Sequence, residues 1–406
     1  MDPDKSSFHN KLYYILVLLI SFALPLSKKL IPLLIILLVL NWVVEGKFVE
    51  KLKRIRHLPY VGLFVAFYLM HLIGLLYSDN IEFGMFDVEI KLSLLVFPLL
   101  FSTSKQFHLN QVLNVFTSFV LGCSTAVLIC LGRSAYMYSK TGDINSFLYG
   151  ELSMFHHPTY FAMYICLALS VMFYCVFRQR EGLTKYHKVA MGVLIPVLSV
   201  FVILLNAKIG LISLMLILVI AFLYLLLVQK KYLKGLMLLI GALLVVGSLN
   251  WIAPLTFQRM QWAISVILGE VEPAATESTF GRMKVWPVAG EIIQENPIFG
   301  VGTGDIKDEL INKYDTRNLS GMSAEKLNAH NQFLQSFAAL GAVGFLLLIG
   351  GILAPLVRSI GRKKYVYLFF LLIIALNSLT ESILEVQAGV IFYAFFNSFF
   401  MFLDTE

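Results

Sequence analysis

The apolar segments that recur along this chain constrain it more than any other feature. They run near the roughly 20 residues that carry an α-helix across a bilayer, and they lack the period-2 alternation of a membrane β-barrel. Twelve can be read, at about 11–27, 29–45, 58–77, 84–102, 111–132, 153–177, 188–206, 209–229, 234–252, 332–357, 364–379 and 386–403. Hydrocarbon offers no partner to a bare backbone amide, so segments of this kind must satisfy their hydrogen bonds internally, as helices. Composition agrees: 58% of the 406 residues are hydrophobic and 14% are charged, far more apolar than a water-soluble domain. The expected fold class is an all-α polytopic membrane protein with about twelve transmembrane helices.

Lysine and arginine set the expected orientation. The connections "EGKFVEKLKRIRH", "RQREGLTKYHK", "QKKYLK" and "RSIGRKKY" are basic, and all four fall on the cytoplasmic side if the N-terminus is cytoplasmic. The connections "YSDNIEF", "NAK" and "LTESILE" are poor in positive charge, and "LSKK" near position 28 is a local exception. Both termini are then cytoplasmic, and the long polar segment 253–331 lies outside. The net charge of +7 follows from this topology and calls for no nucleic-acid partner. The first apolar segment shows no small-residue cleavage site and reads as a retained helix, not a signal peptide. Cys123, Cys130, Cys166 and Cys175 fall inside expected spans, so no disulfide framework and no zinc spacing is indicated. The expected organisation is nine spans over 1–252, an external loop subdomain over 253–331, and three spans over 332–406.

The external subdomain is where chemistry is expected, because loops held by a rigid scaffold carry function more often than the scaffold itself. Its first part, "PLTFQRMQWAISVILGE", is apolar at Leu255, Trp262, Val266 and Ile267 with Arg259 and Gln261 interleaved, the pattern of a helix lying on the membrane surface. In "STFGRMKVWPVAGEIIQENPIFGVGTGD", Ser278 can cap a helix and Asn296-Pro297 can stop it. If the helix continues through Pro287, Arg282 shares a face with Trp286, Ala289 and Ile293. Two readings of that arginine are open: it binds an anion, or it snorkels to solvent or pairs with Glu277 or Glu291. "GVGTGD" lacks the lysine-serine pair and preceding strand of a nucleotide loop and reads as a turn. Asp305, Asp308 and Glu309 read as solvated loop acids, with no metal assigned.

Three further features sit where expected spans meet the outer face. In "LNAHNQFLQSFAALGAVG", Asn328 or Asn331 can cap the tenth span, and His330 lies in or just before its first turn, on one stripe with Phe333, Leu334 and Phe337. That stripe is expected to face the protein interior. An imidazole in this place is either a packing residue or a proton acceptor. Lys208, in "LLNAKIGLISL", is a single cation between two apolar runs, and such charge is by default a functional hypothesis, with snorkelling to lipid phosphates as the alternative. In "ELSMFHHPTYFAMY", His156, His157 and Tyr160 surround Pro158, which suits the first turn of a helix.

The order of these parts resembles the O-antigen ligase and polymerase-like membrane glycosyltransferases of bacterial envelopes. The resemblance rests on "FHHPTYFAMY" leading into a span, the cation of "NAKIGLISL", "GRMKVW" and "ENPIFGVGTGD" in a large outer loop, "HNQFLQSFAALGAVGF" leading into the next span, and "SLTESILEVQAGVIFYAFF" near the end. The family pattern has arginine where this sequence has Lys208, which keeps the charge without the bidentate fork.

The resemblance implies a GT-C-like, metal-independent and inverting glycosyltransferase without cofactor, in the bacterial inner membrane with its active site facing the periplasm. Its donor would be a glycan on polyprenyl (undecaprenyl) diphosphate and its acceptor a sugar hydroxyl of lipid A-core. A diphosphate is already a good leaving group, so the requirements are positive charge to receive it and a base for the acceptor hydroxyl. Lys208 and Arg282 suit the first task and His330 the second, with His156, His157, Tyr160, Arg259, Asn331 and Trp286 as further lining. Three alternatives stay open: a polymerase whose acceptor is another lipid-linked repeat unit, a protein-glycosylating oligosaccharyltransferase, and a transporter of lipid-linked glycan. Transporters carry paired broken helices, internal repeats and charges buried at the bilayer midplane. No such feature is read in the sequence.

Overall fold

The computed structural model describes residues 3–55, 59–178, 184–252 and 278–403, with Gln258, Gln261 and Ser265 between the last two stretches. Every regular element among the described residues is helical. In chain order these are α1 (Pro3–Ala23), α2 (Leu30–Glu45), α3 (Phe48–Ile55), α4 (Pro59–Leu75), α5 (Ile81–Lys91), α6 (Ser93–Thr103), α7 (Leu109–Thr141), α8 (Tyr149–Leu152), α9 (Pro158–Arg178), α10 (Lys185–Leu204), α11 (Lys208–Leu223) and α12 (Tyr232–Ile252). After them come α13 (Ser278–Glu295), α14 (Ile306–Thr316), α15 (Ser320–Ala324), α16 (Gln332–Gly361), α17 (Tyr365–Thr380) and α18 (Gln387–Met401). Of the expected surface helix around Leu255 to Ile267, only Gln258, Gln261 and Ser265 are among the described residues.

Helix is present at each of the twelve expected spans, but among the described residues five helices are long and apolar enough to cross a membrane: α7, α9, α10, α11 with its π-helical extension to Val228, and α16. A sixth is added if α2 and α3, bent by 112°, form one span. The other apolar helices run 10–17 residues, Tyr365–Thr380 and Gln387–Met401 among them. The expected span 84–102 is not one helix but two, α5 and α6, meeting at Leu92. Asp87 and Lys91 of α5 are buried against protein partners.

The chain forms two compact units, one of Met1–Tyr14, Ile36–Leu109 and Pro273–Glu406, the other of Ile15–Ile35 and Asn110–Glu272. In the first, α16 packs on α4, α13 and α17, and α6 packs on α18. The α6–α18 contact is aromatic, with Phe97 and Phe395 rings edge to face at 5.3 Å and Phe101 against Phe395 and Phe399. Lipid tails are as apolar as these side chains, so close van der Waals fit between the rings holds such helices together in a bilayer.

The first unit contains a discontinuity the sequence did not announce. Gly341 interrupts α16 with φ 63 and ψ −164. The helical bonds that Ala342 and Val343 would give to Ala338 and Ala339 are exchanged for bonds with residues 297–302. Ala342 N–H donates to Pro297 O (2.9 Å), while Ala338 O and Ala339 O accept from Val301 (3.0 Å) and Gly302 (2.9 Å). Backbone freed at a helix break must find partners elsewhere, and "PIFGVG" supplies them. The same loop is tied to α4 and the turn after it: Thr303 Oγ1 donates to His71 O (2.8 Å), Gly304 N–H to Ser78 Oγ (2.9 Å) and Tyr77 OH to Phe299 O (2.6 Å). Asp305, read from sequence as a solvated loop acid, accepts from the backbone N–H groups of Asp79 and Asn80. "GVGTGD" is therefore a turn, as expected, and also a clasp. Connections 77–83 and 379–385 and the 278–331 segment, all expected on the outer side, meet at one end of this unit.

In the second unit, α9 is almost wholly enclosed, with Phe161 to Leu169 at 0–1% exposure between α10 and α11. Small residues let helices approach closely. Gly210 of α11 sits so near Ala162 of α9 that a Cβ there would be 2.5 Å from the alanine methyl. Ser21 and Ser118 lace α1 to α7 by donating to the carbonyls of Val115 and Leu18, each at 2.9 Å.

Candidate functional site

In the first unit the connection from α17 to α18, "TESILE", brings a carboxylate between two residues singled out from sequence. Glu381 Oε1 accepts from the Arg282 guanidinium at 2.7 Å, and its Oε2 lies 3.2 Å from His330 Nδ1. Arg282 also donates through Nε to the Thr380 carbonyl (2.9 Å), so two different edges of the guanidinium are fixed at one corner of the loop. The three side chains are 16–31% exposed, dry enough for the charges to matter and open enough to meet a ligand. A carboxylate on Nδ1 favours the tautomer with the proton on Nδ1, which leaves the Nε2 lone pair as the acceptor.

Local sequence explains how His330 is presented. Asn331 is the N-cap of α16, its Oδ1 accepting from Phe333 and Leu334 N–H at 2.9 and 3.1 Å. His330 precedes it at φ 43, a left-handed backbone rare for a side-chain-bearing residue, and its own N–H is held by Asn328 Oδ1 at 3.0 Å. Such strain persists only where the surroundings over-determine it, and it turns the ring out of line with the helix. The expected stripe is corrected accordingly. Phe333, Leu334 and Phe337 are only half-buried, while the polar side chains Gln332 (0%), Gln335 (3%) and Ser336 (1%) face inward. Burying amides requires partners, and here Gln332 Oε1 accepts from Leu384 N–H (2.7 Å) and Gln335 Oε1 from Ala329 N–H (3.0 Å).

The helix α13 does continue through Pro287. Its buried stripe is Val285, Val288, Ala289 and Ile292, which carries Arg282 inward, but Trp286 is 38% exposed and off that stripe. Trp286 thus does not share the face of Arg282 as expected. The pairing offered as an alternative for Arg282 also resolves: Glu291 pairs with Arg317, and Arg282 with Glu381. Arg259 and Glu277 lie outside the described residues.

The remaining candidates belong to the second unit. His156 is buried, with Nε2 3.1 Å from the Leu24 carbonyl, and Tyr160 is 7% exposed. His157 is exposed, its ring 6.1 Å from that of Tyr149. Lys208 is the first residue of α11, after Asn206 at φ 50, and is partly exposed where its neighbours are buried. The Ala162–Gly210 contact lies close to the N-termini of α9 and α11, so Tyr160 and Lys208 stand at the same end of this unit.

Sequence reading missed Glu381, and below it Glu385, Asp87, Lys91 and His71. A signal was present for part of this: Asp87, Glu89 and Lys91 interrupt an otherwise apolar span, and charge in a span is a functional hypothesis by default. The structure also has a buried Lys91–Asp87 pair and a helix interrupted at Gly341, neither of which was read from the sequence.

Among the described residues the fold is all-helical, with five or six helices long and apolar enough to cross a membrane and a cluster of polar side chains around Glu381. Residues 192–349 match the family model described as O-antigen ligase. The matched stretch holds Lys208, Arg282 and His330 and ends before Glu381, so over those residues the chain is similar to the family whose motifs it resembles. It is consistent with a membrane enzyme of glycosyltransferase type. No curated protein matches the chain.

Proposed function

We propose that the protein is an O-antigen ligase-type glycosyltransferase of the bacterial inner membrane, moving a glycan from undecaprenyl diphosphate to a sugar hydroxyl of lipid A-core at the periplasmic face. The observation that carries this reading is the Glu381–His330 contact at 3.2 Å, a base oriented by a carboxylate. His330 Nε2 takes the proton of the acceptor hydroxyl as its oxygen attacks the anomeric carbon from the face opposite the diphosphate. The carbon–oxygen bond to the diphosphate breaks, that oxygen keeps the electron pair, and the configuration inverts. Arg282 meets the growing negative charge while it braces Glu381, and Lys208 is proposed as a donor-binding cation on its charge alone.

The test is reconstitution of the full chain in lipid with undecaprenyl diphosphate-linked oligosaccharide and, separately, lipid A-core or a second lipid-linked oligosaccharide as acceptor. Transfer to lipid A-core is expected, and His330→Ala should lower its rate by about 10² to 10⁴ while the protein stays folded. Chain extension of the lipid-linked acceptor instead would identify a polymerase. Movement of donor across the bilayer without any product would identify a transporter, and an active His330→Ala would remove the base assignment.

A further inference from the structure

We infer that Glu385, clamped between Lys91 and Gln332, is a positioning residue that holds the Glu381–His330 pair in register, an inference that rests on the proposed role of His330 as base. Lys91 is wholly buried, paired with Asp87 one turn back on α5, and donates through Nζ to Glu385 Oε2 at 2.9 Å. His71 lies beyond, Nδ1 3.5 Å from the other Asp87 oxygen. Gln332, also fully buried, donates to Glu385 Oε1 at 3.3 Å and to Ser336 Oγ at 3.0 Å, and accepts from Leu384 N–H at 2.7 Å.

The connectivity is what makes this a device for alignment. Gln332 follows His330 by two residues, with only the capping Asn331 between. Glu385 follows Glu381 by four, through a short 3₁₀ turn closed by Glu385 N–H on Ser382 O at 3.1 Å. The segment carrying the base and the loop carrying its carboxylate are therefore joined twice, once at the site and once at a buried hub beneath it. That hub is anchored to α5 through a residue 294 positions away. Buried ion pairs return little net stability after desolvation, and their best-attested use is to select one arrangement over others. A left-handed backbone at His330 needs such selection, since φ 43 survives only if its neighbours leave no alternative.

Glu385→Gln tests this cleanly, because it leaves Lys91 paired with Asp87 and changes no volume. The full-length protein, labelled with ¹⁵N-histidine, would be placed in lipid nanodiscs, and the ring ¹⁵N signals of His330 assigned by their disappearance in His330→Gln. If Glu385 positions the pair, Glu385→Gln shifts the His330 ring signals away from the wild-type position. In the transfer assay with undecaprenyl diphosphate-linked oligosaccharide it lowers kcat roughly 10- to 100-fold, with KM for donor changed less than about twofold, as misplacement of a reacting group does. A purely structural role would lower the unfolding temperature and leave the His330 signals of the folded protein where they were. Wild-type signals in Glu385→Gln overturn the inference; should that variant not fold, Gln332→Met cuts the same clamp and is read by the same signals. Failure of the underlying reading looks different: His330→Gln would transfer glycan at the wild-type rate whatever the spectrum of Glu385→Gln shows.

Discussion

At residue scale the site separates two cations that look alike in sequence. Arg282 is engaged through Nε with Thr380 O and through a terminal nitrogen with Glu381 Oε1, a geometry that one ammonium cannot reproduce. Lys208 stands at a helix N-terminus and is invoked for its charge alone. Conservative exchange should therefore act differently at the two positions. Arg282→Lys is expected to lose a charge-assisted hydrogen bond of about 1.5–3 kcal/mol, roughly a 10- to 100-fold fall in transfer rate. Lys208→Arg should keep most activity, and Lys208→Ala should weaken donor handling. Initial rates against donor concentration check all three, and a silent Lys208→Ala would withdraw that residue from the diphosphate.

Among the elements, the interrupted helix α16 is the one on which the site depends, because the stretch before Gly341 leads back to His330 and the break is locked to the loop that follows α13. Gly341 allows both the left-handed turn and the approach of the Ile298 carbonyl, against which any Cβ would collide. A backbone at φ 63 and ψ −164 is essentially glycine-only and costs a side-chain-bearing residue about 1–3 kcal/mol, and the collision adds to it. Gly341→Ala should thus lower the unfolding midpoint of the purified protein sharply, whereas Gly361→Ala, with open space around it, should leave the midpoint close to wild type. Equal midpoints for the two variants would mean that the break is not needed. In the same unit, α5 buries Asp87 and Lys91 against each other and Glu385.

For the whole molecule, the distribution of basic connections predicts which face is outside. Thr316 and Gly361 are both exposed, and the native cysteines are buried or half-buried inside helices. Cysteine at 316 should react with an impermeant thiol reagent added to intact cells, and cysteine at 361 should react only after permeabilisation. The reverse pattern would invert the orientation and move the site to the cytoplasmic face. The sequence by itself determined the all-helical class, the presence of long apolar helices, the capping Asn331 and the interest of His330 and Arg282. Hydropathy, capping and turn chemistry act over a few residues, so they can be read locally. Only the tertiary structure decided that Glu381 joins His330 across 51 positions and Arg282 across 99, that a buried lysine anchors Glu385, and that α16 breaks where residues 297–302 repair it. A desolvated charge or a freed backbone carbonyl must find a partner, but which partner it finds depends on how distant segments pack, and no local pattern carries that information.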